Sequence, residues 1–441
     1  MHTMSSEHEK TNTADLGRAD VTSTGQHVDR KKRINKSLFI LPASLALIMT
    51  GFGIIIPVYP QRLEALGLGA ETLALMEGGF GLGMFLFSTP MGVWANRFGR
   101  KPLVLLALLG FVATNLLLAF VNIPAFFIAI RFLEGILVAG FMPAAMAMIG
   151  DAIPPEKQGR WMGVMTTAQA GGVALGPAIG GVLYQSWGFT SPFLLSAAFA
   201  LASALLAIFM LPETLPEQVR AEALANRDRK KRGEKELDVN RVSLIHLAWA
   251  FAALLFIDFG SMFVFPFALP QYPFFFENTL HYSAAQYGLI ISADGLAMAL
   301  FPLVLGRLSD TLPKKPLVII GSLLSASLNL AMLFLHQYPL LIVSSLMTGV
   351  GFALLMPSMS TIYLQATSDK NRSQLMGIRS TAISFAMLAA PLAQAAIAPW
   401  ITPQITFAIS SVLSLLMVIF AIVALKSPRQ SSPEDASKIA A

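Results

Sequence analysis

Apolar residues run along this chain in blocks of about twenty, separated by short polar or basic stretches. As an α-helix, a block of that length crosses a hydrocarbon layer of ~30 Å. Barrel strands would be about half as long and would alternate apolar with polar positions. Twelve blocks predict spans one to twelve, at about 37–59, 73–94, 103–122, 124–149, 161–184, 191–211, 243–269, 284–305, 316–335, 339–362, 375–398 and 403–425. The expected fold is an all-α polytopic membrane protein with twelve transmembrane helices. Residues 1–36 are polar, few of them apolar, and are expected to be a disordered tail. Residues 37–212 and 243–425 then form two six-helix units. A charged linker, 213–242, joins them, and a short polar tail, 426–441, follows.

The two units are copies. Gly92-Val-Trp-Ala-Asn96-Arg97-Phe-Gly99-Arg100-Lys101-Pro102 is a short basic stretch between spans two and three. It returns, weakened, as Gly306-Arg-Leu-Ser-Asp310-Thr-Leu-Pro313-Lys314-Lys315-Pro316, 214 residues later. At the same offset Met142-Pro143 meets Met356-Pro357, Met162-Gly163 meets Met376-Gly377, and Pro177 meets Pro391. The fold is therefore expected to be pseudo-symmetric. Transporters are often built from such repeats, with the substrate site between them.

Composition sharpens this picture. The chain is 55% hydrophobic and 13% charged, against about 25% charge in soluble proteins. Its net charge of +6 does not point to nucleic acid, because its distribution follows the membrane. Arg62 lies in an expected outer loop and Arg131 inside span four. Every other Lys and Arg falls in segments expected to face inward, and the remaining outer connections have none. By the positive-inside rule both termini are cytoplasmic, in a cell membrane crossed many times. There is no cysteine, so no thiol chemistry, and the six histidines form no metal-ligand cluster. No cofactor or metal is expected. The expected partners are a small-molecule substrate and the bilayer, and the chain is expected to be monomeric.

A few ionisable residues remain inside the spans: Glu77, Arg131, Glu134, Asp258 and Asp294. Charge in lipid is costly, so each should face a cavity or a partner. Arg131 and Glu134 are three apart, on one helical face. A nearby cation and burial shift a carboxylate in opposite directions. Such a group suits proton uptake and release when its surroundings switch, and a static packing pair is the alternative. Asp258 and Asp294 have no cation on their own helix, and both are candidates for binding a proton or cation. Glu77, near the outer end of span two, is expected to reach water.

Span five carries Gly172, Gly176, Pro177, Gly180 and Gly181. Small residues four apart leave a smooth face for close helix approach, and proline bends the helix. Such a face is useful where two halves rock against each other. Aromatics crowd residues 263–276. Their place at a helix end favours an interfacial belt over an aromatic ligand cavity.

Taken together, these residues resemble a major facilitator superfamily transporter over roughly residues 38–425. Gly92, Arg97, Gly99, Arg100 and Lys101 match that family's loop motif between helices two and three. Gly172 to Gly181 is similar to the motif of its proton-coupled drug antiporters, and Arg131 with Gly135 to the fourth-helix motif linked to proton coupling. Leu211-Pro-Glu213-Thr214 is also a familiar feature. Three positions depart from the pattern. The loop acid is Asn96, although Asp310 keeps it in the second copy. The usual Gln of the fourth-helix motif is Glu134. Residues 38–60 hold no acid. The resemblance implies that the loop acid latches the cytoplasmic side near the start of helix eleven, with Asp310 serving near Arg160 and Trp161. It also implies proton-coupled export of small, largely apolar compounds by alternating access, with the proton carried by Glu134 or Asp258. Uptake or facilitated transport of a sugar, metabolite or organic acid on the same fold is the alternative. Nothing resembles an enzyme: there is no Ser/His/Asp set, phosphate loop or metal cluster.

Overall fold

A computed structural model describes residues 38–215, 217, 220, 221, 225, 244–367 and 372–425. The two expected tails and most of the linker lie outside the described residues. Twelve long helical segments are present, and eleven of them are long and apolar enough to cross a bilayer. In chain order these are α1 (Ile40–Ile55, continued by Tyr59–Ala65), α2 (Ala70–Phe98), α3 (Arg100–Phe120), α4 (Pro124–Ala152), α5 (Pro155–Trp187) and α6 (Thr190–Met210). The second half supplies α7 (Ala252–Ala268, preceded by Leu244–Ala250), α8 (Ala284–Thr311), α9 (Lys314–Ser325 and Ser327–Phe334), α10 (Tyr338–Ala366), α11 (Arg372–Ile397) and α12 (Pro403–Ala424). The segment outside the apolar set is α5. It has 33 residues, but Thr166, Thr167 and Gln169 dilute its apolar surface.

Proline sets several starts. It stands in the first turn of α4, α5, α10 and α12, where its missing N–H has no helical partner to lose. At α12 the Thr402 hydroxyl also accepts the Ile405 N–H.

The sequence repeat reappears in the packing. In the first half α1 packs on α5 and α6, α2 on α4, and α3 on α4 and α6. In the second half α7 packs on α11 and α12, α8 on α10, and α9 on α10 and α12. Two pairings join the halves, α5 with α8 and α2 with α11, and each is the image of the other.

These pairings seal one end of the molecule. At the end opposite the basic motif, Gln61 donates to Glu277 at 3.0 Å and Asn278 donates to Glu64. Both bonds tie the end of α1 to the segment Phe275–Thr279 of the other half. Deeper in, a Cβ on Gly181 would collide with Ala284, one on Gly295 with Ala174, and one on Gly81 with Met387 and Leu388. The Ala178 N–H donates to Ser292 Oγ at 2.9 Å, and Phe85 meets Phe385 at 6.0 Å between ring centroids. Toward the basic end three of these four helices expose polar or small residues: Ser88 and Thr89 on α2, Gly163, Thr166 and Gln169 on α5, and Gly377, Ser380 and Thr381 on α11. Hydroxyls and amides exposed at this depth suit a watered cleft better than lipid. Among the described residues the halves meet at one end and stand exposed toward the basic end.

Four expectations are corrected. The stretch left between spans two and three, 95–102, is not an eight-residue loop. Helix α2 runs to Phe98, α3 starts at Arg100, and Gly99 alone makes the corner at φ 117°. Residues 270–283 are not an open loop either, since helical turns continue to Thr279. Nor do their aromatics form a belt. Tyr272, Phe275 and Phe276 are at most 1% exposed and pack with Tyr287 and Phe407. Burial holds them, because folding the segment back over α8 removes large ring areas from lipid and water alike. Span nine is also interrupted, at Ala326. There the Leu328 N–H is taken by the Thr348 hydroxyl of α10 at 3.1 Å, so the broken ladder stays satisfied.

Candidate functional site

Helices α2 and α4 approach until their backbones touch. A Cβ on Gly83 would collide with Phe132, and one on Gly135 with Phe80. That closeness brings Glu77 of α2 to Arg131 of α4. Arg131 and Glu134 are 2% and 1% exposed. The guanidinium donates to Glu134 Oε2 at 2.9 Å and to Glu77 Oε1 at 2.6 Å. Phe80, Phe52 and Tyr59 pack around it, with ring centroids 4.7, 5.0 and 5.8 Å from its central carbon. One cation is thus shared by two carboxylates. If both are ionised the cluster is one negative charge in excess, in surroundings that penalise net charge. A proton on either carboxylate restores neutrality and leaves the guanidinium paired.

The two carboxylates face different spaces. Glu77, its side chain 17% exposed, lines a cavity of about 20 Å³ between the halves, with Phe52, Tyr59, Leu269, Pro273 and Tyr287. Glu134 lines a cavity of about 10 Å³ inside the first half, with Phe111, Asn115 and Ser196. Among the described residues the buried Tyr59 hydroxyl has no hydrogen-bond partner. Glu77 does not simply reach water, as its place near a helix end suggested. The close approach of α2 and α4 at Gly79, Gly83 and Gly135 sets its partner, and the glycines four apart at Gly79 and Gly83 were the available signal.

Asp258 is fully buried, and it is not alone. Arg379 of α11 forks onto it, Nε to Oδ2 at 2.8 Å and Nη2 to Oδ1 at 3.3 Å. The third guanidinium nitrogen donates to Ser360 of α10 at 2.8 Å, and the Tyr363 ring lies 4.9 Å away. The expectation that every Lys and Arg other than Arg62 and Arg131 lies in an inward-facing segment fails at Arg379, which sits inside span eleven and is 7% exposed within the bundle. Its partner is 121 residues away, beyond any helical periodicity. This pair is balanced, one cation to one carboxylate.

Asp294 on α8 is 8% exposed, and its Oδ1 has no partner among the described residues. Its backbone carbonyl lies where a Cβ on Gly349 of α10 would be. The structure does not bring it to either arginine cluster.

At the basic end Gly99 is required twice. Its φ disfavours any side chain, and a Cβ would strike the Glu213 carboxylate. Glu213 accepts the N–H groups of Arg100 and Lys101 at 3.0 and 3.1 Å, and those of Thr214 and Leu215 at 2.9 Å each. The end of α6 therefore caps α3, satisfying donors a helix start leaves open. Arg100 reaches Asp151 at 3.1 Å and donates to Asn96. Asn96 is thus engaged within its own half. A Cβ on Gly92 would meet nothing. Gly306 and Asp310 lie on α8, and the Asp310 and Arg160 side chains lie outside the described residues.

The glycines of α5 divide between two neighbours. A Cβ on Gly172 would crowd Ala46 and Met49, one on Gly176 Gly53, and one on Gly180 Ile54, all on α1 in the same half. Gly181 and Pro177 face Ala284 and Gly288 of α8 in the other half. The smooth face serves the half's own packing first.

The sequence matches the profile of the Major Facilitator Superfamily over residues 43–275 and 250–440. The chain belongs to that superfamily. It is accordingly a membrane transporter and not an enzyme. Over 403 residues it is 25% identical to the "Multi-drug resistance efflux pump PmrA homolog" of Lactococcus lactis, covering 90% of this chain and 97% of the relative. It is 27% identical over 365 residues to "Multidrug resistance protein 1" of Bacillus subtilis, 81% of this chain and 88% of that protein. Among solved structures a D-xylose-proton symporter has a similar fold, with a TM-score of 0.71 at 18% identity over 89% of this chain and 98% of that one. The human organic anion transporter MFSD10 gives 0.64 at 21% identity over 89% and 99%. In this superfamily member the halves carry unequal chemistry: the first an unbalanced Arg131 cluster, the second a balanced Asp258–Arg379 pair and a lone Asp294.

Proposed function

We propose that this transporter exports small, largely apolar compounds in exchange for protons, and that Glu134 and Glu77 carry the proton on either side of Arg131. One observation carries the reading: a single buried guanidinium serves two carboxylates beside an aromatic-lined cavity between the halves. Protonation of one carboxylate keeps the cluster neutral. Its loss leaves a net negative charge that favours rearrangement. The cavity beside Glu77, at about 20 Å³, has room for a water rather than a compound, and it serves as the proton's path to the cluster. The printed names of the relatives, multidrug efflux pumps, support export. Asp258, held by Arg379, serves as a clamp joining α7, α10 and α11. Asp294 is a reserve site for the proton.

The positive-inside pattern places both termini and the basic end in the cytoplasm of a plasma-membrane protein. The closed end then faces outward, and this conformation is inward-facing. The protein works as a monomer, with each half supplying one wall of the cleft. The test is flux of a chemically diverse compound panel in vesicles, with and without a pH gradient. Export that collapses with the gradient supports the reading. Gradient-independent flux of sugars or organic acids would replace it with the alternative.

A further inference from the structure

Where α2 meets α3 at the basic end lies a groove of about 560 Å³. Trp94, Arg97, Phe98, Leu103, Leu106 and Arg220 line it. Its apolar walls are bare: Trp94 is 43% exposed, Phe98 68% and Leu106 50%. They continue a stripe along α3, since Leu109, Leu116, Leu117 and Phe120 are exposed as well. These positions recur at helical spacing over the whole length of a membrane-crossing helix, so the stripe is the lipid-facing side of α3. The groove is the place where that side ends in charge.

The charge is positive and unspent. Among the described residues neither Arg97 nor Arg220 takes part in an ion pair, and Arg97 Nε is buried without a hydrogen-bond partner. Two of the nearby acids are otherwise engaged. Glu213 accepts four backbone N–H groups, and Asp151 holds Arg100. Glu217 stands exposed on the segment that bears Arg220.

We propose that this groove seats an anionic phospholipid of the adjoining leaflet. Its phosphate and anionic headgroup lie between Arg97 and Arg220, and its acyl chains lie along Phe98, Leu106 and the α3 stripe. Arginine forks match phosphate oxygens in geometry as well as charge. A soluble anion would gain nothing from the apolar wall. A zwitterionic lipid would gain the wall without the full charge. The bound lipid ties Arg220 to the α2–α3 corner, the same corner that Glu213 caps. The inference is independent of what is transported.

The experiment uses the full chain, extracted in detergent and exposed to equal amounts of phosphatidylglycerol and phosphatidylcholine, with retained lipid counted by native mass spectrometry. Wild-type protein is expected to retain phosphatidylglycerol at least about tenfold better, since each basic residue near a membrane surface contributes on the order of 1 kcal/mol to anionic-lipid attraction. Arg97→Gln with Arg220→Gln is expected to bring the ratio close to one. Inorganic phosphate at millimolar concentration should not displace the lipid. Equal retention of both lipids by the wild type overturns the proposal without any variant. So does a preference that survives in the double variant, or displacement by phosphate alone.

Discussion

At the scale of single residues, the decisive quantity is the ratio of cations to carboxylates in each buried cluster. Removing a positioned proton-transfer group typically costs ~10²–10⁴-fold in rate. Glu134→Gln should therefore reduce gradient-driven flux at least a hundredfold while compound binding stays within a few fold, read by transport and by equilibrium binding on one preparation. Full activity of the Gln form under a gradient would remove Glu134 from the mechanism. The Asp258–Arg379 pair should behave differently. Breaking one side of a buried pair costs about 3–5 kcal/mol, so Asp258→Asn should lower the thermal midpoint strongly. A double change to Asn and Met should recover much of that loss. If the single variant kept the wild-type midpoint, the pair would not be the clamp inferred from its geometry. The sequence made Arg131 and Glu134 visible because three-residue spacing puts them on one face. It left Glu77's partner and Arg379's role hidden, because both depend on which helices touch.

At the scale of elements, caps and close approaches set the geometry. Losing a helix N-cap costs ~0.5–2 kcal/mol, and Glu213 caps α3 from another helix. Glu213→Ala should lower stability by about that amount, and amide exchange at Arg100 and Lys101 should rise most. Protection unchanged at those two positions would contradict the cap. The twelve apolar blocks were legible because span length is dictated by the bilayer. The corner at Gly99 and the helical turns through residues 269–279 were not. A single φ makes the first, and ring packing against Tyr287 and Phe407 holds the second. Neither leaves a periodic trace.

At the scale of the whole molecule, the repeat predicts both the fold and its motion. Packing pairs in one half have their images in the other, and the two seams between the halves are images of each other. One seam end is held by Gln61–Glu277 and Asn278–Glu64. At the basic end the family resemblance implies a latch, lopsided in this sequence, Asn96 against Asp310. Helix N-termini favour an anion by roughly 0.3–1 kcal/mol. Asn96→Asp should thus shift the population toward closure of the basic end. Spin labels on the basic ends of α2 and α11 would report shorter distances, and an unchanged or longer distribution would reject the latch. The symmetry was legible in matched Met-Pro, Met-Gly and Pro positions. The open state was not, because one sequence encodes both ends of the cycle.

The central claim is that one guanidinium shared by two carboxylates couples compound to proton. It is tested most directly in proteoliposomes, by measuring gradient-driven accumulation and compound-for-compound exchange on the same preparations of wild type, Glu134→Gln and Glu77→Gln. Exchange needs the cleft to alternate but needs no net proton movement. The account predicts that both variants retain exchange and lose accumulation. Accumulation at the wild-type level in both variants would contradict it.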